Sequence, residues 1–162
     1  MITQERLKFL FSYDEETGVF TRIRSARGNA YKGRQVTSCD NLGRVMIGAD
    51  KKCYFAHRLA WVYVYGFPPI NCIDHIDGNP SNNAISNLRD VNHAVNMQNQ
   101  RRASKNNSTG IIGVSQGKGR RTYRAQITIN GRSKPLGRFK SAEDAKMAYL
   151  SYKREHHPGC TI

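Results

Sequence analysis

The run RTYRAQITIN, residues 121–130, alternates without a break, with Tyr123, Ala125, Ile127 and Ile129 on one side and Thr122, Arg124, Gln126 and Thr128 on the other. A period of two over eight residues is the pattern of a strand with one buried and one solvated face, and it argues against a helix. The Asn130-Gly131 pair that ends it is a strong hairpin-turn signal, so SKPLGRF should return as a second strand, and GIIGVSQ upstream supplies a third. Ser141 then caps a helix with Glu143 and Asp144 in its first turn and Lys153, Arg154 and His156 in its last, before Pro158-Gly159 stops it. Ala145, Ala148, Tyr149 and Tyr152 give that helix an apolar stripe. Residues 111–158 therefore predict a three-stranded antiparallel sheet packed on one helix, whose second face, carrying Arg124, Gln126 and Thr128, is polar, basic and bare.

The charge distribution gives that bare face a meaning. The 162 residues carry a formal net charge of +14. Residues 1–100 hold 12 Lys+Arg against 9 Asp+Glu, whereas residues 101–162 hold 14 against 3. Between Arg101 and Lys140 there are eleven basic residues and no acidic one, an arrangement that repels itself unless a polyanion is nearby. These charges are interleaved with strand sequence and form no low-complexity run, so a binding face explains them better than a solvated tail. Ahead of the sheet, RRASKNNSTG, residues 101–110, is polar, basic and aperiodic and reads as a linker.

The N-terminal part has a different texture. Residues 3–11 predict a short helix, Thr17-Gly18 a turn, and GRVMIG and KCYFA two strands joined at Asp50-Lys51, together a small antiparallel sheet within residues 1–55. AHRLAWVYVY, residues 56–65, predicts a buried helix ended by Gly66 and Pro68-Pro69. NPSNNAISNLRDV is rich in turn formers, and VNHAVNMQNQ predicts a short helix with His93 and Asn96 on one face. No apolar run reaches the ~20 residues of a membrane span, the N-terminus lacks a signal core, and the expected location is the cytoplasm. Cys39, Cys53, Cys72 and Cys160 form no CxxC pair and read as free thiols.

The stretch CIDHIDGN, residues 72–79, carries the chemistry. Hydrolysis of a phosphodiester needs an activated water, a neutralised phosphate and a stabilised leaving oxygen, and one divalent ion plus one base supply all three. The hard oxygen of Asp74, with an asparagine amide oxygen, suits magnesium or manganese. His75, next in sequence and on the opposite side of an extended segment, suits a general base at its ordinary pKa near 6.5. Asp77 is better read as a turn former, His57 as structural or a phosphate donor, His93 as a solvated helix position, and His156 and His157 as C-terminal helix residues.

The run HRLAW…IDHIDGNPSNNAISNLRDVNHAVN resembles HNH endonucleases of the phage homing type, whose core is a ββα-metal finger. The resemblance implies His75 as general base, Asp74 as metal ligand, Asn87 as the middle asparagine that shapes the loop, and Asn96 as the metal ligand on the following helix. GVSQ, YRAQI, LGRF and SAEDAKMAY resemble, in that order, the APETALA-two DNA-binding domain of plant ethylene-response factors. That resemblance places Arg124, Gln126 and Thr128 toward bases in the major groove. Arg58, Arg101, Arg102, Lys105, Arg120, Arg121 and Lys134 are the remaining candidate DNA contacts.

The expected protein is α+β: a ββα-metal nuclease domain over residues 1–100, with a small sheet in 1–55 and the core in 56–100, a linker at 101–110, and a sheet-plus-helix DNA-binding domain at 111–158. Its expected function is metal-dependent, site-directed cleavage or nicking of double-stranded DNA, with one Mg2+ or Mn2+ per active site, no membrane and no small-molecule substrate. Two other readings fit the composition: a sequence-specific DNA-binding regulator with a vestigial nuclease domain, and an RNA-binding protein.

Overall fold

A computed structural model describes residues 2–25, 31–117 and 121–162. The chain divides into two compact units, Met1–His93 and Ala94–Ile162.

In the first unit, helix α1 (Gln4–Leu10) starts at Thr3, whose hydroxyl accepts from the Arg6 amide. It is followed by two short ribbons rather than one sheet: β1 (Phe11–Tyr13) pairs antiparallel with β2 (Phe20–Arg22), and β3 (Met46–Ala49) with β4 (Lys52–Phe55). Asp50 and Lys51 both take positive φ at the second turn, the mirror-image geometry that matches the twist of a tight hairpin. Helix α2 (Ala56–Tyr65) ends at Gly66 with φ 84°, a left-handed cap that suits glycine best. A third ribbon joins β5 (Cys72–His75) to β6 (Leu88–Val91), with Asp74 opposite Arg89 and His75 opposite Leu88. A single 3-10 turn, Ile85–Asn87, leads into β6, a strand hidden in the sequence among turn formers.

Leu7, Phe11, Phe20, Ile47, Ala56, Leu59, Ala60 and Val62 are buried in one core under α1 and α2, joined by Ile73 and Leu88 from the third ribbon. Phe20 meets Phe11 edge-on and lies against Tyr13, so the aromatics of the first ribbon hold that core beside the third.

The second unit starts inside helix α3 (His93–Gln98), earlier than the boundary at residue 100 expected from composition. The expected linker is folded against this unit: the Asn107 side-chain amide donates to the carbonyls of Ile111 and Val114, and Thr109 Oγ1 donates to Val114 as well. These short polar side chains satisfy backbone that has no ladder, and local composition reads that as a coil. The strand expected over GIIGVSQ is confined to β7 (Val114–Gln116).

The sheet has the order β7-β8-β9, with β8 at Tyr123–Ile129 and β9 at Arg132–Phe139. Helix α4 (Ala142–His156) is capped by Ser141, whose hydroxyl accepts from the Asp144 amide. Val114, Ala125, Ile127, Ala145 and Tyr149 form the core between sheet and helix. Gly113 sits against the Tyr149 ring, where an added Cβ would lie 2.0 Å from the ring carbon Cδ2.

A bulge shifts the register so that Ala125 faces Gly137 and Gln126 faces Pro135. Gly137 takes φ 136°, a value open to glycine. Lys153, in the last turns of α4, is 1% exposed. It lies one turn beyond Tyr149 on the apolar stripe, and its amino group donates to the Gln100 carbonyl at 2.6 Å. No described helix is long and apolar enough to cross a membrane, and all four cysteines are free thiols.

Candidate active site

The third ribbon is closed at its far end by the loop 76–87, and asparagines shape that loop. The Asn87 amide nitrogen donates to Asp77 Oδ1 and to the Asn82 carbonyl, while its Oδ1 accepts from the Asp77 amide. Asp77 also accepts from the Asn79 amide and the Asn82 side chain. Burial works to raise the Asp77 carboxyl, but these hydrogen bonds outweigh it and hold the group below the usual carboxylate range. The arrangement makes Asp77 part of the turn.

Asp74 is 6% exposed. Arg89, directly across the ribbon, brings Nε and Nη2 to Asp74 Oδ2 at 2.9 and 2.7 Å. The pair follows from the β5–β6 register.

His75 closes β5, half-buried. Its Nε2 lies 3.3 Å from Asn83 Oδ1, and burial pushes its imidazole below the ordinary value, with the Asn83 hydrogen bond and the charges of Asp77 and Asp74 opposing. The ring is therefore neutral at neutral pH, the state a proton acceptor needs.

His57, in the first turn of α2, meets His75 edge-on with ring centroids 5.2 Å apart and stacks on Phe55 at 5.4 Å. Its Nδ1 is buried without a hydrogen-bond partner, and burial followed by the repulsion of His75 pushes its pKa down to about 4. The unfolded chain takes up a proton at His57 below its ordinary 6.5 and the folded chain only below about 4. Stability held by the neutral ring is thus complete above 6.5 and lost as pH falls through that window, by at most about 3 kcal/mol. Urea midpoints between pH 7 and 4 should fall less steeply for His57→Gln than for the natural chain; equal slopes would remove His57 as the cause.

The candidate donors are a carboxylate and side-chain amides, hard oxygens of the type that magnesium and manganese take together with water. Among the described residues no three His, Cys, Asp or Glu side chains gather into a cluster that would hold a metal by themselves. Asp74, His75 and Asn87 are brought together in the first unit. Asn96 lies on α3 in the second, half-buried, its carbonyl accepting from the Asn99 amide. Arg58 is half-buried on α2, and His93 is exposed.

In the second unit, the face of the sheet away from α4 carries Arg124, Gln126 and Thr128 on β8 opposite Arg138, Pro135 and Ser133 on β9. Arg124 and Arg138 are direct register partners, a like-charged pair that destabilises a sheet without an anion between them. Arg102, Lys105 and Arg121 are exposed, while Arg101 Nη2 donates to Thr161 Oγ1. Arg120 lies outside the described residues. Lys134 is not on the bare face: it pairs with buried Ile127, and its amino group donates to the Tyr152 hydroxyl on α4 at 2.6 Å. The bulge, together with the two-residue alternation, sets that side.

Sequence reasoning missed Arg89, Asn83, Tyr13 and Arg138. Pairing CIDH with LRDV as a ribbon would have found Arg89; no local signal marks the others.

Residues 54–98, which include the third ribbon and its loop, match the family model described as HNH endonuclease. The chain is also 42% identical over 77 residues to Protein 3.8 of Escherichia phage T7, an alignment that takes in 47% of this chain and 63% of that protein's length. No solved structure matches.

Proposed function

We propose that the chain is a metal-dependent DNA endonuclease or nicking enzyme of the homing type, in which Asp74 and His75 of the first unit take part in the chemistry and the sheet of the second unit recognises duplex DNA. The observation that supports this best is the adjacency of Asp74 and His75 at the end of β5, beside a loop held by Asn87, inside the segment that matches the HNH model.

His75 accepts the proton of the attacking water, because its half-buried imidazole is neutral and stands at the end of β5 next to Asp74. Asn87 keeps the loop closed so that this ring stays in place. Asp74 and, by the family resemblance, Asn96 would hold Mg2+ or Mn2+. When bound, the ion neutralises the phosphate and the developing charge on the leaving oxygen. Arg58, Arg102, Lys105 and Arg121 engage phosphates. Arg124, Gln126 and Thr128, on a sheet resembling the APETALA-two domain, read base edges. A phage-encoded role accords with the phage relative.

The test is supercoiled plasmid incubated with the protein, with and without magnesium or manganese. Conversion to nicked or linear DNA should require the metal, and Asp74→Ala should need a higher metal concentration and react more slowly. Tight DNA binding without cleavage under either metal would replace this reading with that of a DNA-binding regulator.

A further inference from the structure

We infer that Asn83 is a positioning residue for the nuclease reaction, selecting the tautomer of His75 in which Nε2 carries the proton and Nδ1 is the base. The inference rests on the nuclease reading for its catalytic consequence, and on geometry alone for the tautomer.

Asn83 is 1% exposed, so each polar atom of its side chain needs a partner within the protein. Its amide nitrogen lies 3.1 Å from the Ser81 carbonyl. A carbonyl can only accept, which assigns that atom as the NH2 group and turns the amide oxygen toward His75. Oδ1 in turn only accepts, so the 3.3 Å contact requires a proton on Nε2. In the neutral ring the lone pair then sits on Nδ1. During attack the water's O–H bond breaks, its proton moves to Nδ1, and its oxygen bonds to phosphorus, while Nε2–H still donates to Asn83 and stabilises the imidazolium.

The first ribbon holds Asn83 rigidly for this task. The Tyr13 hydroxyl donates to the Asn83 backbone carbonyl at 2.7 Å in a buried hydrogen bond, and the Ile85 amide donates to the Glu15 carbonyl at 3.0 Å. Gly18, at φ 72°, comes so close that an added Cβ would lie 2.2 Å from the Asn83 carbonyl carbon and the Ala84 nitrogen. A turn some 65 residues away in sequence is therefore moulded to the backbone that carries this amide.

Nitrogen-15 NMR of ring-labelled histidine in the full chain, without DNA and at a pH where His75 is neutral, reads the tautomer directly. The natural protein should show His75 with a protonated Nε2 and a lone-pair Nδ1, and Asn83→Ala should shift it to a mixture. A protonated Nδ1 in the natural protein, or an unchanged tautomer in a folded Asn83→Ala, overturns the assignment. Should Asn83→Ala not fold, Asn83→Asp is the second reading: it keeps the oxygen acceptor and should keep Nε2 protonated, and the opposite tautomer there overturns the proposal. On plasmid DNA, Asn83→Ala should lower the turnover number about 10- to 100-fold at unchanged KM, with partial rescue by Asn83→Asp. Loss confined to KM overturns the positioning role. A natural protein with the assigned tautomer that cuts nothing upholds the tautomer and refutes the nuclease reading.

Discussion

His75→Ala should lose DNA cleavage by about 10² to 10⁴ while binding DNA nearly as tightly as the natural chain, because removing a general base takes away a proton acceptor and few contacts with the ground state. The side chain meets Asn83 through Nε2 and His57 edge-on, and neither contact belongs to the main core, so the variant should stay folded. Single-turnover cleavage of a plasmid or mapped duplex measures the chemistry, and gel-shift affinity measures binding. Both should be compared at saturating metal, so that any change in metal occupancy is removed. A variant that cuts at the natural rate eliminates His75 as the base. If binding and cleavage fall together, the histidine supports the fold or the DNA contact instead of the proton transfer.

Affinity for duplex DNA should fall steeply with salt. Eleven basic residues lie between Arg101 and Lys140 without an acidic one, and the acidic residues of the second unit, Glu143, Asp144 and Glu155, all sit on α4, away from the face with Arg124 and Arg138. If about six of these cations neutralise phosphates, log affinity against log salt has a slope of about −5, roughly a thousandfold loss for a fourfold rise in salt. Replacing one phosphate contact, as in Arg102→Ala, should reduce the slope by about one and weaken all sequences alike, whereas Gln126→Ala should relax selectivity with the slope unchanged. A flat salt dependence would rule out the basic face as the DNA-binding surface.

Much of the framework could be read in advance because it is encoded locally. Eight alternating residues and Asn130-Gly131 require β8 and its hairpin, Ser141 and the stripe through Tyr149 require α4, and Gly66 ends α2; each depends on neighbours within a few residues. The same holds for the charge asymmetry and for the order Asp74-His75, both of which stand in the sequence itself.

What the tertiary structure alone decided involves partners distant in the chain or a shift of one register position. Pairing β5 with β6 set Arg89 on Asp74, and the fold brought Tyr13 and Gly18 to Asn83 and Asn83 to His75. The bulge before Gly137 held Lys134 on the helix side, and the end of α4 buried Lys153 against the Gln100 carbonyl. Composition and periodicity record which side chains can share a face, but a hydrogen bond between residues 13 and 83 exists only once the intervening chain has closed, so the candidate side chains were legible in the sequence and their orientation was not.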